Sequence, residues 1–181
     1  MTAITFFGNM GVLYEGKQST VVRVLNIARK LKDHGHRCTV KYTLKEEIDE
    51  ILNAIRNSDI IVFHRVQGSR KTFIDLKYAS AFLLCKKYHR KIIFDLDDAI
   101  FLNYPLITET FILGSNLVFA GNHYLCDYAA KINFNTWFIP SAVDTSIFKP
   151  ASTMGKDKTN EIVIGWHGSV IVHLRNLLSI L

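Results

Sequence analysis

The chain has 181 residues and a net charge of +6, with 49% hydrophobic and 12% aromatic residues. That is enough to bury one ordinary core, with at most a fragment of a second domain. No segment approaches the roughly 18–20 uninterrupted apolar residues of a membrane span, and the opening MTAITFFGNMG lacks the basic flank and apolar length of a signal peptide.

In chain order, short apolar runs predict strands at 3–7, 37–43, 59–64, 91–95, 116–120, 136–139 and 161–166. Most are apolar throughout, as strands buried on both faces of a parallel sheet should be. Between them, helical patterns occupy 19–34, 45–57, 70–88 and 122–132. In the first, Val21, Val24, Leu25, Ala28 and Leu31 share one face, with Ser19 or Thr20 as N-cap and Gly35 as the stop. Strands alternating with helices predict an α/β, Rossmann-like three-layer domain with a mostly parallel sheet. Residues 149–160, KPASTMGKDKTN, are polar and without period, so they read as a linker. The expected organisation is therefore a domain over 1–148, a linker over 149–160, and a strand-turn-helix over 161–181 that opens a second, truncated domain.

Charged residues gather where predicted strands end. KIIFDLDDAIF (91–101) runs a buried strand into Asp95, Asp97 and Asp98, and VFHRVQGSR (62–70) ends a strand on His64 and Arg65. Carboxyl ends of parallel strands are where open α/β sheets bind ligands. The turn GNMGVLYEGKQST (8–20) offers Gly8, Gly11 and Gly16 ahead of a helix start that suits an anion, although its spacing is neither a dinucleotide fingerprint nor a phosphate loop. Arg23, one turn into that helix, faces either the cleft or the solvated side. Cys38, Cys85 and Cys126 lack metal spacing and read as buried thiols of a reducing cytosol.

Three segments carry a family resemblance. VFAGNHYLCDYAAKINFNTWFIPSAVDTSIFKP (118–150) is similar to the strand, helix and "VIPNGVDTERFRP" strand of GT-B glycosyltransferases of the family 4 type. The usual Asn-Gly is replaced here by Ser141-Ala142, while Asp144 and Phe148 keep their places. KIIFDLDDAIF resembles "VIYDIDDAIF" in a subgroup of that family, and IGWHGS (164–169) resembles the "IGWIGS" that begins the donor domain. The Asp-x-Asp string also looks like the nucleophile strand of haloacid-dehalogenase-like phosphatases, with Asp95 as nucleophile and Asp97 as acid/base. Against that reading, three strands precede the motif and Ala99 stands where Thr or Val is expected.

The glycosyltransferase resemblance implies the N-terminal, acceptor-side half of a GT-B fold and transfer of a sugar, with retention, from a nucleotide sugar to an acceptor hydroxyl. It places Asp97 beside the reacting sugar carbon, where many relatives carry a His, with Asp98 next to it. His64, Arg65 and Arg23 become candidates for the acceptor or cleft side, Arg65 either contacting an acidic acceptor or pairing with Asp97 or Asp98. Gly16, Gly168 and Ser169 become candidates for the donor diphosphate. The same resemblance implies no metal and no cofactor beyond the nucleotide-sugar substrate. The acceptor would be a glycan, a lipid-linked molecule or a small molecule.

With most of the donor half missing, the chain is not expected to turn over alone. A second chain would have to complete it, or it serves as a non-catalytic or split partner module. Its location would be cytoplasmic, including peripheral contact with the inner membrane face. No recognised nucleic-acid motif accompanies the basic charge, so nucleic acid is not expected as a partner.

Overall fold

The computed structural model describes residues 1–8, 18–42, 47–66, 72–150 and 178–179. The expected strand at 161–166 and most of the expected linker lie outside them. The chain divides into two compact units, Met1–Asp144 and Thr145–Leu181. In the second, Ile147 and Phe148 are exposed.

The first unit is a six-stranded sheet in the order β2-β1-β3-β4-β5-β6, parallel at every pairing. Its strands are β1 (Ala3–Gly8), β2 (Arg37–Tyr42), β3 (Ile60–His64), β4 (Lys91–Leu96), β5 (Leu117–Ala120) and β6 (Thr136–Phe138). β1 is buried along its whole length, as its uninterrupted AITFFG run requires of a central parallel strand. Alternate side chains serve opposite faces. One face holds Phe7, Phe63, Phe94 and Val118, the other Ile4, Phe6 and Val62.

The helices divide unequally between those faces. α3 (Ile48–Arg56), α4 (Thr72–Lys87), α5 (Pro105–Gly114) and α6 (His123–Ala130) all pack against the first. Phe111 of α5 is the hub there, with ring centroids 4.5 Å from Phe82, 5.1 Å from Phe63 and 5.6 Å from Phe94. On the second face, among the described residues, lies only the helical run α1 (Gln18–Thr20), a π-helical turn (Val21–Leu25) and α2 (Asn26–Asp33).

Local chemistry sets most boundaries. Gly35 stops α2 at φ 84°, where His36 N–H donates to Leu31 O at 3.0 Å and Gly35 N–H to Lys32 O at 2.9 Å, the paired bonds of a Schellman end. Asn122 caps α6, its side-chain oxygen accepting from Leu125 N–H at 2.9 Å. Ser19 and Thr20 do not cap the first helix: Thr20 is already helical and makes no capping bond.

The sequence reading has no helix at 105–114. PLITETFILG is apolar on nearly every side and lacks an amphipathic period, and Leu106 and Leu113 are left exposed. Pro105 at its first turn starts it. Thr108 and Thr110 hydroxyls donate back to the carbonyls of Tyr104 and Leu106, both at 2.7 Å. Cys38 and Cys85 are buried free thiols, whereas Cys126 is only half-buried. Among the described residues no helix is long and apolar enough to cross a membrane.

Candidate functional site

The register that pairs β3 with β4 sets His64 against Asp95 at the carboxyl ends of both strands. His64 Nδ1 lies 2.7 Å from Asp95 Oδ2. From the opposite side, Arg23 in the π-helical turn turns its guanidinium onto the same carboxylate, with Nε 3.1 Å from Oδ1 and 3.0 Å from Oδ2 and a further contact from Nη2. Arg23 Nη1 donates to Ile139 O at 2.9 Å and to Ser141 Oγ at 3.3 Å, just beyond β6. All three charged or titratable side chains are buried. Burial by itself would push the Asp95 carboxyl up. The hydrogen bonds from His64 and Arg23 outweigh it and hold the group below its ordinary value. Burial likewise acts to lower Arg23, and its bond and charge pairing with Asp95 prevail to raise it.

The second cluster lies just beyond. Arg65 leaves β3 with φ 52°, a left-handed conformation uncommon for a residue other than Gly, and its N–H donates to Asp95 O at 3.0 Å. Its side chain reaches both remaining carboxylates. Nε stands 3.1 Å from Asp97 Oδ1, close in charge but not aligned as a hydrogen bond, and Nη2 bonds to Asp98. The Asp97 side chain is 8% exposed and that of Asp98 59%, so only Asp98 is open to a ligand without rearrangement. Asp98 Oδ1 also accepts from Ala99 N–H at 2.9 Å. Gly121 carries the β5–α6 turn over this point: a Cβ there would lie 3.1 Å from Asp97 Cα, while its N–H donates to Leu96 O at 2.8 Å.

The structure thus gathers Arg23, His64, Arg65, Asp97 and Asp98 at one end of the sheet. Arg23 is on the buried side of its helix, not the solvated one. Gly16, Gly168 and Ser169 lie outside the described residues. The centre that the glycosyltransferase reading passed over is Asp95. A carboxylate flanked by Phe94 and Leu96 inside an apolar strand has to find a cation or donors, and that signal was available. As a phosphatase nucleophile Asp95 is poorly placed, since both oxygens are engaged by Arg23 and His64 and the residue is 4% exposed. A cavity of about 390 Å³ opens on the second face of the sheet, with Arg23, Asp95 and Ser141 at its polar end.

A parallel six-stranded Rossmann-like sheet is the fold this chain shares with GT-B glycosyltransferases. One similar solved structure is an alpha-glucosyltransferase in complex with UDP, with a TM-score of 0.56, 15% identity, and coverage of 71% of this chain and 39% of that one. Another holds UDP-glucose and DNA containing an abasic site, with a TM-score of 0.57, 14% identity, and coverage of 75% and 41%. A third holds UDP and a 13-mer DNA with a central A:G mismatch, with a TM-score of 0.54, 17% identity, and coverage of 68% and 38%. The chain therefore spans about two-fifths of the length of these neighbours. At such identities the likeness is one of fold. No family model matches the sequence, and no curated protein does.

The expectation that nucleic acid is not a partner is corrected by these neighbours, two of which hold DNA. That exclusion rested on the lack of a named binding motif. Affinity for nucleic acid comes largely from phosphate contacts, which need no such motif.

Proposed function

We propose that this protein acts in glycosyl transfer from a nucleotide sugar to an acceptor hydroxyl, the carboxyl ends of β3 and β4 forming the acceptor side of the site. The observation that supports this best is the placing of two adjacent carboxylates, Asp97 and Asp98, against one arginine at the ligand-binding edge of a GT-B-like sheet. Asp97, nearly buried and set by Arg65 and the Gly121 turn, would steady positive charge developing on the anomeric carbon. Asp98, open to solvent, would orient the incoming hydroxyl. Asp95 touches neither; it holds His64 and Arg23 in place behind them. The donor diphosphate would fall to Gly16, Gly168 and Ser169.

Glycans, lipid-linked alcohols, small hydroxylated molecules and DNA are all acceptors to be assayed, the last because neighbours of this fold hold it. A lipid-linked acceptor would bring the protein to a membrane face. The test is transfer of a radiolabelled nucleotide sugar by the protein isolated from its source cells, beside the same preparation carrying Asp97→Asn. Loss of about 10²-fold or more is expected from removing a charge that acts in the transition state. Unchanged turnover would overturn the reading.

A further inference from the structure

We propose that the cavity on the second face of the sheet binds an apolar alcohol: a neutral molecule with a hydrocarbon body and a hydroxyl head. This deepens the transfer reading and rests on it, since such a molecule would be the acceptor. The cavity holds about 390 Å³, within the range of about 300–1,000 Å³ common for small-molecule sites. Its walls come from four of the six strands: Ile4 and Phe6 of β1, Val62 of β3, Ile93 of β4 and Phe119 of β5, with Ile27 of α2 above. Walls of this kind favour an apolar guest over water.

The head group follows from the polar end. Arg23 and Asp95 neutralise each other, and Arg23 directs its Nη1 donors to Ile139 O and Ser141 Oγ. Among the described residues lining the cavity, no other charge is left to receive a carboxylate or phosphate, whose burial there would be costly. The Ser141 hydroxyl, accepting from Arg23, keeps its own proton to donate to a ligand oxygen. Asp95, at this polar end, precedes Asp97 by two residues, so the polar end lies at the same carboxyl edge of the sheet as the carboxylate assigned to transfer.

The experiment is a titration of the full chain, labelled at isoleucine methyl groups, with 1-decanol and separately with decanoate. Saturable shifts of the Ile4, Ile27 and Ile93 methyls with decanol are expected, with decanoate at least about tenfold weaker because its charge goes unpaired. Ile93→Trp, which fills the cavity, should abolish the shifts. Ala142→Trp, at the exposed mouth, should do the same and keeps the test valid where the first variant fails to fold. Equal binding of decanoate, no saturable shift at these methyls, or cross-peaks showing them already packed against other protein methyls would overturn the proposal. Nucleotide-sugar turnover measured separately distinguishes the two readings: decanol binding without turnover keeps the cavity and removes the transfer.

Discussion

Arg23 and Asp95, 72 residues apart in the chain, meet as a buried pair in which Nε alone lies within 3.1 Å of both carboxylate oxygens. The pair joins the π-helical turn to the end of β4, and through Ile139 and Ser141 to the segment after β6. Breaking a buried pair from one side leaves a charge without its partner. Arg23→Met should therefore destabilise the fold by about 3–5 kcal/mol, measured by urea unfolding, with Arg23→Lys intermediate. A loss under about 1 kcal/mol would show that the pair is not the anchor described.

The same carboxylate gives a pH signature. The folded Asp95 carboxyl is held below its ordinary value, so the unfolded chain takes up a proton at higher pH than the folded one. Its contribution is then complete above the unfolded value of about 3.9 and is lost as pH falls through the folded value. Thermal midpoints of wild type and Asp95→Asn should differ by a constant amount between neutral pH and about pH 5, and converge below about pH 4. A gap that widens on acidification would contradict the sign.

Arg65 separates backbone strain from side-chain role. At φ 52° an Ala keeps the left-handed cost, roughly 1–2 kcal/mol, whereas Gly does not. Arg65→Gly should thus be more stable than Arg65→Ala by about 1 kcal/mol, and both should lose the support given to Asp97 and Asp98. Equal stability of the two variants would place the strain elsewhere.

Gly121→Ala tests the turn above Asp97. The added methyl meets backbone at 3.1 Å, so either the turn or Asp97 has to shift. A loss of about 1–3 kcal/mol, the usual cost of overpacking, should come with displacement of Asp97 in a crystal structure of the variant. Gly35→Ala, a distant glycine with nothing within 4 Å of its added Cβ, should cost stability through its φ of 84° and leave Asp97 in place.

Much of the sheet was legible because strands buried on both faces announce themselves as unbroken apolar runs. All six described strands fall within a residue or two of those read from sequence. α5 was not, because its Leu106, Phe111, Ile112 and Leu113 surround the helix and mimic no single period. Of the site, His64 with Arg65 and Asp97 with Asp98 could be read as neighbours, since parallel strands end on the same edge. The Arg23–Asp95 pair could not, because it depends on strand order and on the π-helical turn. Neither leaves a mark in local spacing.

The strand order has a consequence for how the protein is made. From β4 onward each new strand pairs with the one that precedes it in the chain, so the sheet widens at one margin as synthesis proceeds. Until the next strand arrives, that margin is a row of unsatisfied backbone groups open to another nascent chain. With β5 in place and β6 still to come, it is the Leu117–Ala120 strand, whose Val118 and Ala120 are buried in the finished fold. A released chain ending between residues 120 and 136 would hold the sheet at that stage, its β5 margin bare and prone to aggregation.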